Sequence, residues 1–106
     1  MVGRIWDFTI EPPRAAEFET FAGEVALPMV RGKMGCFAVY VLRDAGAPEQ
    51  YAWITLWLSR KAMLVAISSS DWEMLTREFA RFGVAFDLNH ARAYDVVASF
   101  RAGEKS

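Results

Sequence analysis

The sequence predicts an α+β fold in which two helical regions cover one face of a four-stranded antiparallel sheet. The first observation is the order of hydrophobic periods, which runs strand, helix, strand, strand, helix, strand along the chain. The second is the run from Tyr51 to Ser59, which is apolar at both alternating sets of positions. A strand that is apolar on both faces must be covered on both faces, so one layer of helices does not suffice.

Length and composition indicate a single globular domain, expected over residues 2–100, with a polar tail at 101–106. Of the 106 residues, 54% are hydrophobic and 14% are aromatic, which argues against disorder. The 12 basic and 13 acidic side chains give a net charge of −1, and no basic run favours a nucleic acid or a membrane as a partner. Cys36 is the single cysteine, and no apolar run has membrane-spanning length, so we expect a cytoplasmic protein.

The first strand is predicted over residues 3–10, because this stretch is rich in β-branched and aromatic residues. Pro12 and Pro13 end the strand, since proline cannot donate to a ladder but suits the start of a helix. Alternation along the strand places Arg4 on the same face as Trp6.

The first helical region is predicted to begin near Arg14 and to carry one apolar stripe. Pro28 falls inside this region, where its ring would clash with the carbonyl of Glu24, so we expect a kink or a new turn. Gly32 and Gly35 are expected to close the region, because glycine tolerates the positive φ of a turn. The stripe consists of Phe18, Phe21, Ala22, Val25 and Met29.

Two antiparallel strands are predicted next, over residues 36–43 and 51–59, with a hairpin turn at 44–48 between them. The second of these strands is the apolar run described above. Ser59 at its end is expected to cap a short helix that starts at Arg60, because its side chain can accept from a free amide of the first turn.

The second helical region is predicted in two parts, because the serines at 68–70 interrupt it. Ser70 and Glu73 have the spacing of a capping box, which indicates that the second part starts there. Residues 91–100 are predicted as the last strand. The second part carries an apolar stripe of Trp72, Leu75, Phe79 and Phe82.

The predicted order βαββαβ is that of ferredoxin-like domains. Right-handed crossovers place both helical regions on the same face of the sheet. The other face, which is apolar in the first three strands, would remain exposed on a monomer. Since symmetric homodimers are the commonest oligomers, we expect a homodimer packed sheet to sheet.

Several stretches carry a family resemblance: Arg4-Ile5-Trp6, Glu17-Phe18, Leu27-Pro28, the Gly35 turn, Trp57-x-Ser59 and Tyr94-x-Val96-Val97. Together they resemble the antibiotic-biosynthesis-monooxygenase-like family of dimeric α/β-barrel proteins over residues 2–100. The resemblance implies a homodimer in which two ferredoxin-like sheets close into a barrel, and a pocket between the sheet and the helices. It also implies cofactor-free oxidation of aromatic polyketides in some members and haem degradation in others.

The haem-degrading branch implies an Asn on the first strand, a Trp in the second helical region and a His after it. This chain has Trp6 at the first position and Arg77 at the third, and only Trp72 approximates the pattern. Because an axial ligand is missing, we expect no haem. No motif for another cofactor or for a metal is present, so none is expected.

Trp6, Trp53 and Trp72 are predicted to line a pocket for a flat aromatic substrate, and Tyr40 and His90 are the candidate catalytic residues for proton handling. These residues and the resemblance indicate a cofactor-independent monooxygenase-like protein that acts on a small aromatic or polyketide-like molecule. The alternative is a non-catalytic homodimeric module that binds a ligand or merely assembles. The lack of a convincing acid–base pair favours this alternative.

Several candidates also have an ordinary structural explanation. His90 is typical of a loop or surface histidine, and Cys36 of a small buried hydrophobe. Asp7 is expected either to pair with an arginine across the dimer or to face the pocket as a base. The sequence leaves open whether Trp53 and Trp57 face the helices or the partner subunit.

Overall fold

The computed structural model describes residues 1–82 and 91–103, and it confirms the α+β fold with a four-stranded antiparallel sheet of order β2-β3-β1-β4. The strands are β1 (Val2–Thr9), β2 (Cys36–Arg43), β3 (Gln50–Trp57) and β4 (Arg92–Asp95). The α-helices are α1 (Ala15–Phe21), α2 (Leu27–Arg31), α3 (Arg60–Ile67) and α4 (Ser70–Ala80), with a short 3₁₀ turn at Pro12–Arg14. No helix in the described part of the chain has the length and apolar character needed to cross a membrane.

The first helical region contains one turn of π-helix, Ala22–Ala26, immediately before α2. The N–H of Leu27 donates to the carbonyl of Ala22, five residues earlier. This places Pro28 in the first turn of α2, where its missing N–H removes no helical hydrogen bond. The wider turn shifts the apolar stripe, so Val25 is 52% exposed rather than buried as predicted. The buried residues of this region are Phe18, Ala22, Ala26 and Val30.

Serines cap both helices of the second region. The Ser59 side chain accepts from an amide of α3 as predicted, at 3.1 Å. The N-cap of α4 is Ser69 and not Ser70, because the Ser69 side chain accepts from the N–H of Trp72 at 3.3 Å. Ser69 and Glu73 are four residues apart, so the capping box predicted between Ser70 and Glu73 does not form.

The last strand is shorter than predicted, since β4 ends at Asp95 whereas the sequence predicted a strand over residues 91–100. Asp95 lies opposite Val2 in the ladder with β1, and the N–H of Val96 donates to the carbonyl of Met1 at 2.9 Å. The ladder with β1 ends there. Residues 97–100 therefore have no strand of this sheet beside them.

The two faces of β3 have different surroundings. The odd-numbered residues from Tyr51 to Trp57 lie under the helices and are at most 3% exposed. Among them, the indole N–H of Trp57 donates to the Thr55 hydroxyl at 2.8 Å. The even-numbered residues lie on the opposite face, here called the open face. Trp53 and Trp57 therefore face the helices, which the sequence did not decide.

The turn into β2 depends on Gly35, whose φ is 81°, as predicted. Gly32, for which a positive φ was also predicted, has an ordinary φ of −76°. The N–H of Leu58 donates to the Gly35 carbonyl at 2.8 Å, which fixes this turn to the end of β3. A Cβ atom at position 35 would lie 2.5 Å from the Cβ of Ala62. Only glycine fits this approach to α3.

We expect Gly35→Ala to lower the free energy of unfolding by at least about 2 kcal/mol, because it adds left-handed strain and a clash with Ala62. Urea denaturation followed by circular dichroism measures the change. Gly32→Ala is the matched control, since a Cβ there meets its nearest atom at an ordinary 3.5 Å. Equal destabilisation by the two substitutions would contradict this account of the turn.

Candidate functional site

An aromatic cluster fills the space between the sheet and the helices. Phe79 of α4 lies at its centre and is 2% exposed. The centroid of its ring is 5.1 to 5.7 Å from those of five other aromatic rings, at the offset or edge-on angles that aromatic pairs prefer. These rings belong to Trp6, Phe8, Phe18, Phe21 and Trp53.

The three tryptophans predicted to bind a ligand meet around one small cavity. Trp6 comes from β1, Trp53 from β3 and Trp72 from α4, and they are 4%, 1% and 6% exposed. The cavity measures about 10 Å³, which matches a single water molecule rather than an aromatic ring. Its other lining residues are Arg4, Leu75, Thr76 and Phe79.

Among the described residues that line this cavity, Arg4 is the charged one. Its guanidinium carbon lies 5.7 Å from the centre of the Trp72 ring, within the range of a cation–π interaction. Burial lowers the pKa of Arg4 below its ordinary value, although an arginine stays protonated at neutral pH. Arg4 forms no ion pair with any carboxylate in residues 1–82 and 91–103. The cavity therefore contains a positive charge that no described side chain neutralises.

Tyr40, one of the two candidate catalytic residues, is not brought to this cavity. Tyr40 lies opposite Ile54, on the open face of the sheet, and is 52% exposed. Asp7 is also exposed on the open face, opposite Ala52. His90 falls outside the described residues. Of the predicted site residues, the structure brings together the three tryptophans and separates them from Tyr40.

Two polar groups of the cavity received no role in the sequence analysis. Arg4 was placed on the same face as Trp6 by strand alternation, and that alternation was the signal for its position. Thr76 follows Trp72 by four residues in α4, which puts both side chains on one face of the helix. The sequence therefore predicts the face on which each of these side chains lies. It does not predict that they are close together, because that depends on how α4 packs on β1.

A hydrogen-bonded group lies at the other end of the aromatic cluster. The hydroxyl of Tyr51 donates to a Glu19 carboxylate oxygen at 2.8 Å, and Arg43 donates to the same oxygen at 2.9 Å. The Tyr51 ring stacks on Phe8 at 5.9 Å between centroids. Burial, followed by the hydrogen bond and the charge of Glu19, raises the pKa of Tyr51. This group fastens β3 to α1, and its role is structural.

We expect the stability of the wild type to fall at alkaline pH, and we expect Tyr51→Phe to reduce this fall. A raised pKa in the folded state means that folding favours the protonated phenol. The resulting stabilisation is complete below the ordinary tyrosine pKa of about 10 and is lost as the pH rises through the folded pKa. Thermal unfolding measured from about pH 8 to about pH 11 tests this.

Tyr94→Phe is the matched control for this experiment, because Tyr94 is 50% exposed and lies in the edge strand β4. It should retain the alkaline decline of the wild type. If Tyr51→Phe and wild type decline in parallel, the attribution to Tyr51 is wrong.

A sequence profile described as "Antibiotic biosynthesis monooxygenase" matches residues 1–73, more than two thirds of the chain. The chain belongs to the antibiotic biosynthesis monooxygenase family. This confirms the resemblance recognised in the sequence. No match was found among the curated proteins.

Solved structures show the same fold in other proteins. A Deinococcus radiodurans protein provisionally named an antibiotic biosynthesis monooxygenase has a TM-score of 0.81 and 18% identity, over 95% of this chain and 97% of that one. HapK from Hahella chejuensis has a TM-score of 0.78 and 19% identity, over 97% and 100% of the two chains. A mutant of SnoaB, a cofactor-independent oxygenase from Streptomyces nogalater, has a TM-score of 0.76 and 15% identity, over 92% and 94%.

Proposed function

We propose that the protein binds a small aromatic or polyketide-like molecule between its sheet and helices and oxidises it with dioxygen, without a cofactor. The observation that carries this proposal is the tryptophan-lined cavity with the positive charge of Arg4, which no described side chain neutralises, in a chain of the antibiotic biosynthesis monooxygenase family. Aromatic walls favour a flat ring, and a cation favours a ring system that carries negative charge. The shared fold with a protein named a cofactor-independent oxygenase also supports it.

Such a reaction begins with the loss of a proton from an electron-rich substrate such as an anthrone. The resulting carbanion is conjugated with an oxygen anion, and the positive charge of Arg4 lowers the pKa of that substrate. The anion transfers electrons to dioxygen; one oxygen atom bonds to the ring carbon, and the other leaves as water with the two hydrogens that the carbon loses. Tyr40 lies on the opposite face, so His90 remains the predicted proton carrier.

Substrate binding requires α4 to move away from the sheet, because a ring cannot enter a cavity of about 10 Å³. The side chains of α4 that line the cavity are Trp72, Leu75, Thr76 and Phe79. The ion pair between Lys33 and Asp71, at 3.0 Å, ties the start of α4 to the turn before β2. The Asp71 side chain is 57% exposed and the Lys33 side chain 19% exposed, so solvent screens this pair in part and its contribution to stability is modest. This ion pair can therefore break at a small cost in free energy.

We expect Arg4→Met to reduce oxygen uptake by about a hundredfold, because the positive charge that stabilises the substrate anion is removed. Oxygen uptake with a panel of anthrones and quinols measures the change, and a heat-denatured sample sets the baseline. The substitution also removes a partly buried charge without an ionic partner among the described residues, so the variant should be at least as stable as the wild type.

Arg60→Met is the matched control, because it makes the same charge change at an exposed position that does not line the tryptophan cavity. Its uptake should equal that of the wild type. If Arg4→Met takes up oxygen at the wild-type rate, Arg4 has no part in the mechanism. If the wild type takes up no oxygen, the oxygenase proposal is wrong.

The volume of the tryptophan cavity favours a second candidate, a non-catalytic homodimeric module that binds a ligand or merely assembles. At about 10 Å³ the interior is nearly filled in the structure. If no substrate in the panel supports uptake and no small molecule copurifies with the protein, this candidate replaces the oxygenase. Mass spectrometry of the extracted protein identifies any copurified molecule.

Both candidates include a homodimer, and the open face of the sheet supports it. A row of side chains crosses this face from strand to strand, with Tyr40 opposite Ile54, Ile54 opposite Ile5, and Ile5 opposite Arg92. Leu42 on the same face is 47% exposed. An apolar sheet face of this kind is rarely left in contact with water, and a second copy covers it most simply. In the dimer, Asp7 is predicted to pair with an arginine of the partner.

Sedimentation equilibrium at micromolar concentration should give twice the chain mass of 12.0 kDa. We expect Ile54→Glu to give a folded monomer, because it places a charge in the middle of the interface. Val65→Glu is the matched control: Val65 is 65% exposed on α3, and this variant should remain a dimer. A monomeric wild type, or an Ile54→Glu variant that dimerises normally, would contradict the interface.

A further inference from the structure

A second cavity opens at the edge of the sheet, between the helical stretch 22–31 and strand β2. It measures about 270 Å³, far more than the tryptophan cavity, and the two share no lining residue in the described part of the chain. β2 is an edge strand, and the lining residues Pro28, Arg31 and Phe37 are exposed. Its lining includes Gly23, Leu27, Pro28, Arg31, Phe37 and Val39.

The walls of this edge cavity are mainly apolar. Leu27, Pro28, Phe37 and Val39 contribute carbon surfaces. The thiol of Cys36 also lines the cavity, and burial raises its pKa, so it stays neutral. An apolar cavity of about 150 Å³ is enough to bind benzene, and drug-sized ligands need about 300 Å³ or more. The edge cavity therefore has room for a pair of fused rings or a short alkyl chain, and not for a larger ligand.

Arg31 places a positive charge beside these apolar walls. It is the last residue of α2, its side chain is exposed, and it forms no ion pair with a carboxylate of residues 1–82 and 91–103. A guanidinium matches a carboxylate with two parallel hydrogen bonds. A ligand that satisfies both features has an apolar body and one carboxylate.

Gly23 leaves space in the cavity, but it destabilises the helical turn in which it lies. Glycine is the least favourable helix residue apart from proline, and Gly23 lies inside the π-helical turn Ala22–Ala26. A Cβ built at this position would meet no atom within 4 Å, so packing does not require glycine there. π-Helical turns are frequent at functional sites, and residues that break local preferences without a packing reason are expected at such sites.

We propose that the edge cavity binds a small apolar monocarboxylate. The apolar body lies between Leu27, Pro28 and Val39, and the carboxylate accepts hydrogen bonds from Arg31. Gly23 admits the body of the ligand, because any longer side chain there would occupy the same space. The site is separate from the proposed oxygenase site and does not depend on it.

The test is a titration of the purified full chain with 2-naphthoate, followed by amide chemical shifts in NMR spectra. The amides of Gly23, Arg31 and Val39 should shift, and the indole signal of Trp72 should not. The uncharged analogue 2-naphthamide should bind about tenfold more weakly or worse, and Arg31→Gln should weaken naphthoate binding by a similar factor. Gly23→Leu should abolish binding.

Each substitution has a matched control. Gly23→Ala improves the helix as Gly23→Leu does but leaves most of the space, so it should bind within about twofold of the wild type. Arg60→Gln makes the same charge change on α3 and should bind normally. Arg31 is exposed, so Arg31→Gln tests the site even if Gly23→Leu fails to fold.

Three results would overturn the proposal: no shift in the wild type at millimolar naphthoate, unchanged affinity in Arg31→Gln, or shifts centred on Trp72. Oxygen uptake should be the same in Gly23→Leu and in the wild type, so failure of this site is distinguishable from failure of the oxygenase.

Discussion

The packing of Phe79 against five aromatic rings is the interaction on which the rest of the structure depends. It joins α4 to α1 and to the two strands β1 and β3. The tryptophan cavity is the small space that remains beside this packing, and Arg4 reaches it from β1. The same contacts therefore hold the domain together and close the candidate site. A ligand the size of an aromatic ring can therefore enter only by separating side chains that pack the core.

The edge cavity has a different origin, which traces back to one proline. Pro28 lacks the N–H that a continuous α-helix needs, and the chain accommodates it with the π-helical turn before α2. The extra residue in that turn directs Val25 to solvent and leaves Gly23 facing open space. The two cavities thus arise separately, one from residual space in the aromatic core and one from a local change in helix geometry.

Strand alternation and helical stripes predicted most of the architecture. They placed Arg4 beside Trp6 and assigned Trp72 and Phe79 to the inner face of α4, because these patterns depend on local geometry alone. The family resemblance, recognised from residues and confirmed by the profile match, identified the fold's relatives. The tryptophans of the candidate site were also predicted from these patterns, and the structure brings them together.

Other features depended on contacts that no local pattern contains. Both faces of β3 are apolar, so alternation could not decide which one met the helices, and the position of Tyr40 on the open face was undetermined for the same reason. Adjacent serines compete for one N-cap, and Ser69 rather than Ser70 has the extended backbone that a cap requires. β4 ends where its pairing with β1 ends, so the strand propensity of residues 97–100 did not determine its length.

The strand order also has a consequence for how the chain assembles during synthesis. β1 lies inside the sheet, and its Val2 pairs with Trp57 of β3. This pairing can form only after residue 57 has been synthesised. β4 adds to the free edge of β1 last, because it lies closest to the C-terminus of the four strands. Until then the nascent chain presents an unpaired edge of β1 that another chain can bind. Rapid docking of β4 after its synthesis therefore limits the time in which this edge can pair with another chain.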